Sequence, residues 1–155
     1  MQNKTIYLGA DHAGWEYKEA IEVLLKEKGY DVVDKGDVEF QKEDDYPDYG
    51  YAVAKAVAGN ASSRGVLLCG NAQGICIAAN KVRGIRAATG FNIYAAKSSR
   101  EDDDSNILCL PARALSLEEA QQILNTWLST EFSGAERHRR RLEKLKEIEE
   151  KEFRN

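Results

Sequence analysis

Residues 65–81 read GVLLCGNAQGICIAANK. From Gly65 to Gly70 the chain is apolar throughout, the pattern of a strand buried on both faces of a sheet. A short loop bracketed by Gly70 and Gly74 follows, and ICIAANK continues as a helix. A buried strand feeding a helix through a tight turn is the repeating unit of parallel α/β sheets, so the flanking sequence should repeat it.

It does so on both sides. Upstream, TIYLG (Thr5 to Gly9) is a strand followed by the loop DHAG. Tyr17, Ala20, Ile21, Leu24 and Leu25 then share one helical face, and Gly29 ends that helix. YDVVD (Tyr30 to Asp34) is a second strand, Lys35 to Tyr46 a polar loop, and Pro47 opens a helix to about Gly59. Downstream, IRAATG from Ile85 is a strand, NIYAAKSSR from Asn92 a helix, and NILCL (Asn106 to Leu110) a strand. Ser116 and Glu119 form a capping box for a helix whose apolar stripe is Leu117, Ala120, Leu124, Trp127 and Leu128. A charged helical tail, RHRRRLEKLKEIEEKEFRN, occupies about 136–155 and should pack on the body or on a partner subunit. The expected fold is α/β: a three-layer α/β/α sandwich around a five-stranded parallel Rossmann-like sheet, with residues 1–155 forming one domain.

The bulk numbers fit that fold. A chain of 155 residues, 43% hydrophobic and 31% charged, is the size of one domain with its own core. The formal net charge of -4 gives no bulk attraction to nucleic acid or to an anionic membrane. No apolar run approaches the roughly 20 residues of a membrane-spanning helix. MQNKTIYLGADHAG lacks the regions of a signal peptide. Cys69, Cys76 and Cys109 are odd in number with no CxxC pair, so no disulfide framework is expected and a reducing cytoplasm is the expected location.

In parallel sheets, ligands bind beyond the carboxyl ends of the strands. Cys69 ends the central apolar strand, facing a loop whose N–H groups and following helix form an anion nest. That field should lower a thiol pKa and make Cys69 a base or nucleophile; the plainer reading is a small buried hydrophobe. The loop lacks the ending of a Walker A motif and is not GxGxxG. Asp11 and His12 follow the first strand, either as substrate contacts or as a helix-capping pair. Arg137 and Arg141 share a helix face, which suits a phosphate clamp with Arg113 or, equally, a solvated basic face. RHRRR is followed by compensating acids and has no interleaved aromatics, which argues against RNA. Two histidines, well-separated cysteines and an unspaced DDD triplet give no metal site.

In order along the chain, GADHAG, DYPDYG, CGNAQGICIAANKVRGIRAA, SREDDDSNIL, PAR and RHRRR resemble the ribose/galactose sugar-phosphate isomerase family, nearest its type B ribose-5-phosphate isomerases. The resemblance runs from about Ile6 to about Leu145. It implies aldose–ketose interconversion of a phosphosugar through an enediolate, without metal or organic cofactor. The lead pair is ribose 5-phosphate and ribulose 5-phosphate. It also implies a homodimer, in some members a tetramer, whose active sites are shared between subunits. Cys69 matches the family's base, and Gly70, Asn71, Ala72, Gln73 and Gly74 match its oxyanion loop. Asp11, His12 and Tyr46 match substrate contacts, and Arg113, Arg137 and Arg141 match the phosphate side.

Two segments depart from the family pattern. CGNAQG stands where CGTGxG is usual, so Asn71 replaces a relaying hydroxyl and Ala72 puts a Cβ either where the backbone approaches substrate or where a positive φ is required. Asp102 and Asp103 stand where the family keeps a ring-opening histidine and a substrate-binding asparagine. Asp102 would serve as an acid only if Glu101, Asp103 and Asp104, as like charges, raise its pKa. Three outcomes are open: Asp102 acts as the acid, the substrate is a tetrose phosphate that needs no ring opening, or it is another phosphosugar such as allose or galactose phosphate. A binding protein that has lost catalysis is the reading from a different class.

Overall fold

The computed structural model describes residues 4–153, so Met1 to Asn3 of the N-terminal reading and Arg154 and Asn155 of the tail lie outside the described residues. Eleven elements alternate almost as the sequence predicts: β1 (Thr5–Ala10), α1 (Trp15–Glu27), β2 (Asp31–Asp34), α2 (Tyr46–Ala58), β3 (Arg64–Cys69), α3 (Gln73–Ala79), β4 (Ala87–Thr89), α4 (Ile93–Glu101), β5 (Ile107–Pro111), α5 (Leu117–Ser129) and α6 (Glu136–Glu152). The sheet order is β2-β1-β3-β5-β4, with every pairing parallel. β3 is paired on both sides and buried at all six positions, which is why its sequence from Gly65 onward is apolar without alternation.

Side chains alternate across the pleat and divide the core in two. Val66, Leu68, Leu108 and Leu110 face Ile21 and Leu25 of α1 and Leu124 and Trp127 of α5. Leu67, Cys69, Ile107 and Cys109 face Val53 and Val57 of α2 and Ile75 of α3. The capping box at α5 is present: Glu119 N donates to Ser116 Oγ at 3.1 Å and Ser116 N to Glu119 Oε2 at 2.7 Å.

One local reading needs correction. The strand expected from Ile85 begins only at Ala87. Asn106 takes over part of the preceding backbone, accepting from Arg86 N at 2.8 Å and donating to Gly84 O at 2.8 Å, so those two groups bond to a side chain instead of a ladder. On α1 the apolar stripe hides Lys18, which is fully buried and held by Asp34 and by Glu19 at 2.8 Å.

The first turn of α1 nearly touches β3. A Cβ on Gly14 would lie 2.5 Å from the carbonyl carbon and oxygen of Leu68. Gly14→Ala therefore forces backbone apart where helix meets strand, and a loss of about 1–3 kcal/mol is expected from urea denaturation. Among the described residues no helix is long and apolar enough to cross a membrane.

Candidate active site

Asp11 leaves β1 and Cys69 ends β3, so neighbouring parallel strands deliver the two side chains to the same edge of the sheet. Cys69 Sγ donates to Asp11 Oδ2 at 3.1 Å. The other Asp11 oxygen accepts from Ala13 N at 3.0 Å and Gly14 N at 3.2 Å, which fixes the carboxylate in the turn ahead of α1. Asp11 is thus a thiol partner as well as a turn-capping residue.

The expected lowering of the Cys69 pKa is overturned. Burial pushes the thiol up to about 12, reinforced by the Asp11 carboxylate, while the amides of Gly70 and Ala72 pull only weakly the other way. At neutral pH such a thiol is ionised in roughly one molecule in 10⁵. A base at this position would need the thiol proton to pass to Asp11, within a pair whose net charge does not change.

The loop after Cys69 is built tightly. Ala72 is fully buried and adopts φ 61°, so of the two readings open for that position the structure shows the left-handed one. Asn71 Oδ1 accepts from Gln73 N at 3.0 Å, so one leading amide of α3 is spent on the loop itself and the Asn71 amide group points its donors elsewhere. Asn71 and Gln73 are exposed. Tyr46 lies against Gly74, where a Cβ would sit 2.4 Å from the ring. Arg113 donates its backbone N–H to Gly70 O at 3.0 Å, and its side chain folds over Gly70.

His12 is held by a residue that sequence reasoning missed. Asp44 Oδ1 accepts from His12 Nδ1 at 2.6 Å and from His12 N at 3.1 Å. Burial works against the Asp44 charge, but the His12 ring and backbone N–H outweigh it and hold the carboxyl below its ordinary pKa. Asp37 beside it is raised, first by burial and then by the Asp44 carboxylate. The only sequence signal was an acidic run, Glu43 to Asp45, inside a polar loop. Ligand atoms of Asp11, His12 and Asp44 lie within 4.8 Å of one another, close enough to surround a cation. The Nδ1 atom and both Asp11 oxygens already have protein partners, so the arrangement is that of a hydrogen-bonded cluster.

The remaining predicted residues form a second group. Asp102 and Asp103 precede β5, at the amino ends of the strands, whereas Cys69 lies at the carboxyl ends. The length of β5, about 13 Å, separates the two groups within one chain. Asp102 Oδ1 is 3.5 Å from Nε2 of His138, a buried histidine whose Nδ1 pairs with Ser133 Oγ at 2.7 Å. Asp104 is not a free like charge beside Asp102, because Arg100 (2.8 Å) and Arg86 (3.2 Å) both bind it. Asp103, Arg137 and Arg141 are exposed. A cavity of about 980 Å³ between α6 and the edge strand β4 includes Asp103 and Arg86 and lies on this side, away from Cys69.

A sequence profile described as Ribose/Galactose Isomerase matches residues 6–145. The chain belongs to the ribose/galactose isomerase family. It is 41% identical to ribose-5-phosphate isomerase B of Escherichia coli over 148 residues, 96% of this chain and 98% of that one. The structure superimposes on ribose-5-phosphate isomerase B of Clostridium thermocellum with a TM-score of 0.91 at 47% identity, covering 95% of this chain and 98% of the other. The corresponding protein of Mycoplasma genitalium, crystallised with bound ribulose 5-phosphate, gives a TM-score of 0.93 at 38% identity, covering 99% of this chain and all of that one (100%). The expected family and α/β fold therefore both hold.

The three thiols differ enough to be told apart by reactivity. A hydrogen bond from Cys109 lowers the Cys76 pKa to about 7, with burial opposing and Thr89 assisting. Cys76 is partly exposed, whereas Cys69 and Cys109 are buried. Peptide mapping after iodoacetamide treatment should show Cys76 alkylated first at neutral pH, its rate levelling off above pH 8, while Cys69 labelling keeps rising beyond pH 10. Equal labelling of Cys69 and Cys76 at pH 7 would contradict this order.

Proposed function

We propose that the chain is an aldose–ketose isomerase that interconverts D-ribose 5-phosphate and D-ribulose 5-phosphate. The observation that carries this reading is the buried Cys69–Asp11 pair, with 3.1 Å between sulfur and oxygen, at the carboxyl end of β3 in an isomerase-family fold. The thiol proton moves to Asp11, and the sulfur takes the proton from substrate C2. The C2 electron pair shifts toward C1 and charge develops on the aldehyde oxygen. Returning the proton to C1, with transfer of the hydroxyl proton from O2 to O1, gives the ketose. The Asn71 amide and the loop from Gly70 to Gly74 face the enediolate oxygens as donors. Asn71 stabilises without relaying, because an amide is a poor proton carrier at neutral pH. No metal or organic cofactor enters these steps.

Asp11, His12, Tyr46 and Gln73 line the sugar end, and Arg113 approaches over Gly70. Arg137, Arg141, Asp102 and Asp103 of a second copy complete the site, with the two arginines on the phosphate. The separation of the two groups across β5 supports this assembly, as do the exposed apolar side chains Tyr46, Tyr51, Ile77, Phe91 and Tyr94. A homodimer is the smallest assembly that supplies both halves. The chain acts as one domain in the cytoplasm on a freely diffusing phosphosugar, with no nucleic acid or membrane partner. Mixing Cys69→Ala with Arg137→Ala tests the sharing. Reassorted dimers should recover about a quarter of wild-type activity, since half of them carry one intact site. No recovery despite subunit exchange would place each site within one chain.

Asp102, in place of a histidine, favours a second reading in which the substrate is a tetrose phosphate, which cannot close the usual ring. A panel of tetrose, pentose and hexose phosphates separates the readings. The highest kcat/KM on ribose 5-phosphate supports the first. Binding of a phosphosugar with no turnover of any of them would mark a binding protein instead.

A further inference from the structure

A five-carbon aldose phosphate exists in water almost wholly as a closed ring, so an enzyme acting on it benefits from a group that opens the ring beside the base. Among the described residues there are two imidazoles. His138 is 4% exposed and has both nitrogens engaged, by Ser133 and by Asp102. His12 differs on each count. Its side chain is 33% exposed, only Nδ1 is bonded, and the bond goes to a buried carboxylate whose own side chain is 3% exposed. It also sits one residue from Asp11, the partner of Cys69.

We propose that His12 is the ring-opening proton shuttle of this site and that Asp44 is the residue that positions it. This inference rests on the phosphosugar isomerase reading above. Asp44 Oδ1 takes both the ring Nδ1–H and the backbone N–H of His12, which fixes the ring's orientation and leaves Nε2, on a ring 33% exposed, without a protein hydrogen bond among the described residues. Nε2 accepts the proton of the anomeric hydroxyl. The bond between C1 and the ring oxygen breaks with its electron pair going to that oxygen, and C1–O1 becomes the aldehyde. Nε2 then returns the proton to the former ring oxygen, so His12 ends as it began. Both oxygens are bonded to C1, about 2.3 Å apart, within reach of one nitrogen. The Asp44 carboxylate stabilises the transient imidazolium, as in other carboxylate–imidazole pairs. The second Asp44 oxygen is buried without a partner of its own and faces Asp37, whose burial favours the neutral carboxyl, so the negative charge of the pair rests on Asp44.

Ring opening can be measured without isomerisation. In a Cys69→Ala background, NMR exchange spectroscopy of ribose 5-phosphate reads how fast its α and β anomers interconvert. The Cys69→Ala protein should accelerate that exchange over buffer. Adding Asp44→Asn or His12→Gln should reduce the acceleration by about 10²-fold or more. His12→Gln leaves Asp44 in place and so guards against a folding defect specific to Asp44→Asn, and thermal unfolding of each variant is read alongside. Undiminished acceleration in both double variants would overturn the proposal. So would no acceleration by Cys69→Ala alone, or a loss produced by Asp102→Asn and not by the His12 and Asp44 changes. Failure of wild-type protein to convert ribose 5-phosphate at all would instead overturn the isomerase reading, and is seen in a separate assay.

Discussion

Cys69→Ala is expected to lower kcat/KM for aldose–ketose interconversion by about 10²–10⁴-fold while leaving the fold intact. Asp11 remains tied to the amides of Ala13 and Gly14, so the turn ahead of α1 survives without the thiol. The side chain removed is small, and Ala fills most of its space among Leu67, Ala72 and Ile75. What disappears is the thiol bonded to Asp11, which the proposed mechanism uses to exchange a proton with substrate carbon. Cys69→Ser should be nearly as inactive, because a hydroxyl holds its proton more tightly than a thiol already raised to about 12. Steady-state kinetics with an unfolding curve for each variant checks this. Activity within tenfold of wild type would move the base elsewhere.

The largest stability effect should come from Trp127→Ala. The indole is fully buried, and its Nε1 donates to Ser105 Oγ at 2.8 Å. That hydroxyl also meets Ser99 Oγ at 2.9 Å. The guanidiniums of Arg64 and Arg100 stand 5.4 and 5.8 Å from the ring centroid. Removing the ring opens a cavity between α5 and the sheet, leaves Ser105 Oγ with Ser99 alone and strips two buried cations of their aromatic face. A loss of about 3–5 kcal/mol is expected, a large share of the 5–15 kcal/mol typical of a domain. Trp127→Phe should recover most of the packing but not the hydrogen bond. A urea midpoint for Trp127→Ala unchanged from wild type would contradict this account of the core.

How much could be read beforehand followed from how local each cause is. The β3 strand and the helices around it were legible because burial on both faces leaves a continuous apolar run. Ala72 was legible only as a residue standing where a glycine is usual, which left a positive φ as one of two readings. The sign of the Cys69 shift was not legible, since it comes first from burial by the folded chain and then from a carboxylate 58 residues away that the fold brings to 3.1 Å. Asp44 was hidden for the same reason, meeting His12 across 32 residues. The acidic run at Glu101 to Asp104 read as a cluster of like charges, yet Arg86 reaches Asp104 from 18 residues upstream and makes that residue a structural anchor. Fold is written in periodicity; a charge's environment is written in tertiary contacts.

The most direct measurement follows ribose 5-phosphate by proton NMR in D₂O with the purified full-length protein. The account predicts conversion to ribulose 5-phosphate with solvent deuterium entering at the carbon that exchanges its proton, both lost in Cys69→Ala. An unchanged spectrum at saturating substrate, or conversion undiminished in Cys69→Ala, would contradict it.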